Sequence, residues 1–150
     1  MRVNLLEHEQ LVRRAPRETW EFFQDAHNLE AITPKFLGFR VITPRPIAMA
    51  EGALIDYRLR LHGVPVRWRT RIDIWEPDRR FVDQQVRGPY ALWHHTHTFE
   101  THLEGTLMRD RVRYRLPLGL AGAVAHMAFV RRDLEQIFDF RRDEVQRRLG

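Results

Sequence analysis

The sequence contains no cysteine, which rules out a disulfide framework, a thiolate nucleophile and any zinc site built on thiolates. Stability must therefore come from packing. Lysine is nearly absent as well: Lys35 is the single one, so arginine carries the net charge of +5. No apolar run approaches the roughly 20 residues that a membrane span requires. Met1-Arg2-Val3-Asn4-Leu5-Leu6-Glu7 lacks the continuous apolar stretch of a secretory signal, so the chain is expected in the cytoplasm. There is no phosphate-binding glycine loop, dinucleotide fingerprint, nucleophile elbow or HExxH helix, and on this reading neither a cofactor nor a metal is expected.

What is present is apolar and aromatic surface along all 150 residues, including nine Phe, four Trp and three Tyr. That distribution argues against a disordered arm, and the length suits one domain, 1–150, with one core. Arginines are interspersed with acids, as in Arg109-Asp110-Arg111, Arg131-Arg132-Asp133 and Arg141-Arg142-Asp143-Glu144. A surface that tracks phosphates concentrates one sign instead, so nucleic acid ranks last among the expected partners. Oligomeric state has no signature in the chain.

Residues 3–12 alternate weakly and are read as a first strand of open register. Ala15-Pro16-Arg17-Glu18-Thr19-Trp20 opens a helix, because proline is tolerated in a first turn and Trp20 and Phe23 recur at helical spacing. A second short helix is expected over Asn28–Thr33, capped by Asn28 and stopped by Pro34. From Phe36 the period changes to two. Six antiparallel strands are predicted over Phe36–Thr43, Ala53–Leu61, Val64–Trp75, Arg79–Arg87, Tyr90–Thr101 and Thr106–Leu116, broken by turn residues such as His62-Gly63 and Glu104-Gly105. In the third, Val64, Val66, Trp68, Thr70, Ile72 and Ile74 share one face, while Arg67, Arg69, Arg71 and Asp73 share the other. Beyond Pro117-Leu118-Gly119 about thirty proline-free residues predict a helix roughly 45 Å long. Leu120 to Val130 is apolar nearly all round, which places that half in the interior or beside a cavity.

The order of strand, two short helices, six strands and long helix resembles the helix-grip fold of the START-like (SRPBCC) superfamily, which includes polyketide cyclases, aromatases and lipid-transfer domains. The likeness spans the chain. Ala15-Pro16-Arg17-Glu18-Thr19-Trp20 resembles the family's strand-to-helix entry, and the stretch from Gly88-Pro89-Tyr90 to Thr98-Phe99-Glu100 resembles a segment of bacterial cyclase/dehydrase-like members. Arg13 departs from the aliphatic residue that many relatives carry before Ala-Pro. The resemblance implies an α+β fold in which a curved antiparallel sheet of about seven strands wraps the C-terminal helix around a deep pocket. A small hydrophobic guest is the implied ligand: a lipid, an isoprenoid quinone or a polyketide-like aromatic.

Period-two geometry sets Trp93, His95, His97 and Phe99 on one face of their strand, and the aromatic pair argues that this face looks inward. Asp110 is the odd residue between Met108 and Val112, and an inward carboxylate needs a donor. Arg131, reaching across from the last helix, is the partner expected for it. His95, His97 and Asp110 are the candidate proton-transfer groups if the protein is a cyclase, aromatase or dehydratase. Hydrogen-bonded structural histidines are the plainer account, and binding is expected over catalysis. The expected pocket lining is Phe39, Tyr57, Val66, Trp68, Trp93, His95, His97, Tyr114, Met127 and Arg131. Asp83 and Gln85 are further polar candidates whose face Phe81 and Val82 leave open.

Overall fold

Strand β1 (Asn4–Val12) leads into helix α1 (Pro16–Phe23), and two 3-10 turns follow at Ala26–Glu30 and Lys35–Leu37. After the two-residue strand β2 (Arg40–Val41) come β3 (Leu54–Leu61), β4 (Val64–Glu76), β5 (Arg80–Arg87), β6 (Leu92–His102), β7 (Gly105–Arg115) and the terminal helix α2 (Leu120–Leu149). The computed structural model describes residues 3–117 and 120–150, the side chains of residues 120–128 apart. All strands join one antiparallel seven-stranded sheet of order β1-β7-β6-β5-β4-β3-β2. The expected α+β helix-grip architecture is therefore the one observed. No helix among the described residues is long and apolar enough to cross a membrane.

Register follows from the side-chain pattern. β1 pairs with β7 from Asn4 opposite Tyr114 to Val12 opposite Thr106, which turns the even-numbered residues of β1 inward and resolves the open register. The His62-Gly63 turn has φ of 50° and 83°, the left-handed pair that a two-residue hairpin requires. On the outer face some of the arginines are ion-paired, Arg69 with Asp56 at 2.8 Å, Arg71 with Asp73 at 2.6 Å and Arg109 with Glu9 at 2.6 Å.

Three local expectations are corrected. The strand over Phe36–Thr43 shrinks to Arg40–Val41, because a 3-10 turn begins after Pro34 and ends at Gly38 in the left-handed region. The short helix after α1 is capped by Asp25, whose side chain accepts from the His27 amide at 3.0 Å. Asn28 instead donates its side-chain amide to the Phe22 carbonyl at 2.8 Å, tying the turn to the end of α1. In β4 the register slips between Ile72 and Ile74, and the extra residue of such a bulge reverses the faces beyond it. Trp75, opposite Phe81, takes the inward role expected of Ile74 and packs on Trp20 at 4.8 Å between ring centroids.

Two packed clusters flank the middle of the sheet. Val12, Trp20, Phe23, Phe81, Phe99, Met108, Val145 and Leu149 fasten α1 and the end of α2 to one side. Trp93, Val112, Tyr114, Leu134 and Phe138 fasten the centre of α2 to β6 and β7. The space left between these clusters and β3–β4 is the site.

Candidate functional site

A cavity of about 150 Å³ lies between the concave sheet face and α2. Its walls are mostly rings and branched chains, among them Tyr57, Trp68, Phe81, Trp93 and Phe138. Trp68 and Trp93 meet edge to face at 5.3 Å, and the Trp68 indole N–H donates to Thr70 at 3.0 Å, so its polar atom is satisfied within the wall. Ala26 and Met49 line this cavity and also an outer recess of about 630 Å³ bounded by Asp25, His27, Arg45 and Trp75. Burial pushes the phenols of Tyr57 and Tyr90, both on the wall, well above their ordinary range.

The charged part of the wall is Asp83 of β5 with His95 and His97 of β6, and Asp110 of β7 backs the two histidines from outside the cavity. His95 stands opposite Asp83 of β5, and His97 stands opposite Asp110 of β7. His97 Nε2 lies 2.6 Å from Asp83 Oδ2, and its Nδ1 lies 3.2 Å from Asp110 Oδ1. His95 Nε2 reaches the same Asp110 Oδ1 at 2.8 Å, while its Nδ1 is 3.9 Å from Asp83 Oδ2. The two imidazoles stack at 3.6 Å between centroids, and Phe81 covers the outer face of His97 at 3.9 Å.

Electrostatics follow from this crowding. Burial alone would raise Asp83 and Asp110, but hydrogen bonds from the histidines and nearby positive charge outweigh it. Both carboxyls sit below their usual range, Asp110 well below. Burial and the neighbouring His97 push His95 down to about 4 against the pull of the two aspartates. For His97 burial again opposes charge, yet hydrogen bonds to Asp110 and Asp83 prevail and raise it. One imidazolium between two carboxylates is the stable arrangement, with Arg141 adding positive charge near Asp83.

Of the expected lining, Phe39, Tyr57, Trp68, Trp93, His95 and His97 stand on the wall. Val66 shares Trp68's face but lies half-buried away from the cavity. Tyr114 is buried one layer behind, packed with Trp93, Leu134 and Phe138. The Met127 side chain lies outside the described residues, as do the other side chains of Leu120–Ala128 in the apolar segment. Arg131 is exposed and does not pair with Asp110, whose partners are the two histidines. Arg141 is the arginine at the cavity, ten residues along α2, or about 15 Å. It lies 5.0 Å over the Phe138 ring, and its buried Nε has no hydrogen-bond partner among the described residues. Asp83 and Arg141 are the residues that sequence reasoning left unplaced or missed. Gln85 is occupied by hydrogen bonds with the Tyr90 backbone.

A curved antiparallel sheet that grips a terminal helix over an apolar cavity defines a helix-grip protein of the START-like superfamily. Within it, residues 12–141 match the family described as polyketide cyclase / dehydrase and lipid transport, and the chain belongs to that family. Among solved structures it is similar to the ZhuI aromatase/cyclase of Streptomyces sp. R1128, with TM-score 0.76 and 13% identity over 97% of this chain and 92% of that one. TTHA0849 of Thermus thermophilus superposes with TM-score 0.72 and 15% identity, covering 95% and 97% of the two chains. Ginseng major latex-like protein 151 from Panax ginseng gives TM-score 0.59 and 14% identity, covering 89% and 96%. At such identities the likeness is one of fold. No curated protein matches the chain in sequence at a significant level.

Proposed function

We propose that the protein binds one compact, mainly apolar molecule that carries an oxygen function, seating its ring against Trp68 and Trp93 and its oxygen toward Arg141 and the Asp83–His97 pair. The observation that carries this reading is an aromatic-walled cavity whose charged groups stand together beside an arginine Nε–H with no partner among the described residues. Its volume of about 150 Å³ is that of a dry cavity able to take benzene, below the several hundred Å³ common for ligand sites. A single-ring guest fits without rearrangement. A lipid, an isoprenoid quinone or a multi-ring polyketide requires the cavity to widen. Residence in the cytoplasm belongs to the same reading, and cell fractionation checks it.

Native mass spectrometry and tryptophan fluorescence with phenol, cresol and cyclohexane test the proposal. One guest per chain is expected, tightest for the phenolic rings. Leu59→Trp, which fills the space at a packing cost of about 1–3 kcal/mol, should abolish uptake while the protein stays folded. If none of the probes enters at saturating concentration, the reading is wrong.

The convergence of Asp83, His95, His97 and Asp110 favours a second reading, in which the site acts on the guest's carbonyl to cyclise or dehydrate a polyketone-like substrate. Loss of water from a bound β-hydroxyketone, followed by mass spectrometry and abolished in Asp83→Asn, is its expected signature. Binding of such ketones without any change in them would leave the first reading alone.

A further inference from the structure

Asp83 Oδ2, His95 Nδ1 and His97 Nε2 converge beside the cavity, and one donor atom from each of these residues lies within 4.8 Å of the others. Behind them a single oxygen, Asp110 Oδ1, meets the other nitrogen of both rings, at 2.8 Å and 3.2 Å. A carboxylate oxygen can only accept, so His95 Nε2 is the protonated atom that donates to it, while His97 Nδ1 faces the same oxygen at 3.2 Å. This directs the opposite nitrogens, His95 Nδ1 and His97 Nε2, at Asp83. Ligating histidines are held in this way in metal sites, where the far N–H is fixed by a carboxylate. Bonds of about 2.0–2.2 Å at tetrahedral or octahedral angles separate neighbouring donors by about 2.8–3.6 Å. The observed separations from Asp83 Oδ2, 2.6 Å to His97 and 3.9 Å to His95, bracket that range. Shifts of about half an ångström would equalise them to that spacing, and the two rings, stacked at 25°, would have to splay about their bonds to Asp110 so that both lone pairs meet the ion.

We propose that Asp83, His95 and His97 form a binding site for a divalent first-row transition metal ion of the zinc or ferrous class, with Asp110 holding both imidazoles from behind. Two imidazoles and one carboxylate suit such ions, whereas calcium and magnesium prefer oxygen ligands throughout. The bound ion replaces the proton that His97 Nε2 shares with Asp83, and that proton leaves to solvent. Three protein ligands leave coordination positions open, on the side where the residues line the cavity. The site thus extends the proposed ligand cavity by a metal that the guest's oxygen can reach.

Chelator-treated, tag-free protein titrated with Co²⁺ and with Zn²⁺ tests the inference. One ion per chain is expected, with a visible Co²⁺ absorption band and a raised thermal midpoint. Asp83→Asn should abolish the band, and Asp110→Asn should weaken binding about 10–100-fold. His62→Ala removes the exposed His62–Asp133 pair and should leave the titration unchanged, which separates the buried site from adventitious surface binding. No stoichiometric band in the wild-type protein overturns the proposal, as does a band that survives in folded Asp83→Asn. Should Asp83→Asn fail to fold, the wild-type titration set against His62→Ala decides. Phenol uptake by the metal-free protein is measured in parallel, so a cavity that binds without metal is distinguished from one that does not bind at all.

Discussion

At the scale of single residues, Arg141 separates what the sequence reveals from what it hides. Leu134, Phe138, Arg141 and Val145 recur at spacings of four, three and four, which places Arg141 on the apolar stripe of its helix. The signal is therefore present in the chain, whereas Arg131, the partner expected for Asp110, lies on the exposed side. His95, His97 and Asp110 were legible because an uninterrupted strand alternates faithfully. Asp83 was not, since Phe81 and Val82 are both buried and alternation gives no face there. Arg141→Met keeps the apolar stem but removes the donor beside the cavity. Because a hydrogen bond from a charged group contributes about 1.5–3 kcal/mol, the variant should bind phenol roughly ten- to a hundredfold more weakly and toluene as before. Arg131→Met should change neither. Fluorescence titration of the three proteins decides, and an equal loss for both guests would show Arg141 to be wall rather than anchor.

At the scale of elements, the strands from β3 to β7 and the terminal helix end within two residues of where alternation and turn signals predict, and α1 begins at the expected Pro16. The failures share a cause: each is a local backbone device whose effect depends on a neighbour. The bulge in β4 exists only in its pairing with β5, and β2 is short because Gly38 closes a turn that a strand pattern does not forbid. Gly105 opens β7 in a comparable way. Its φ is 142°, and a Cβ there would run into the Val12 carbonyl oxygen, whereas a Cβ on Gly38 (φ 54°) meets nothing within 4 Å. Gly38→Ala should cost about 1 kcal/mol for its left-handed backbone. Gly105→Ala adds a backbone clash at the β1–β7 pairing and should cost about 3 kcal/mol or more. Urea denaturation compares them directly, and equal losses would mean that β1 yields at no expense.

At the scale of the whole molecule, the cavity was implied by family resemblance alone, because residue pattern specifies which side chains face inward but not whether they fill the space. Volume is a sum over distant contacts, and here it rests on how far α2 stands from β3 and β4. The same closure couples the wall phenols to global folding. Tyr57 is 8% exposed, and its burial raises the phenol above the value of 10.0 that it has in the open chain. A raised folded value contributes stability that is fully present below pH 10 and is lost as pH climbs past it, since only the unfolded chain then ionises. Above that point Tyr57 alone should lower the unfolding free energy by about 1.4 kcal/mol per pH unit, with Tyr90 adding to the slope. Denaturation curves between about pH 9 and about pH 11 should therefore steepen downward, and Tyr57→Phe should reduce the slope by one proton. Phenolate absorbance should lag behind that of free tyrosine until the protein unfolds. If every tyrosine ionises near pH 10 while the fold persists, the wall is open to water, and the enclosed cavity on which ligand seating depends does not exist in solution.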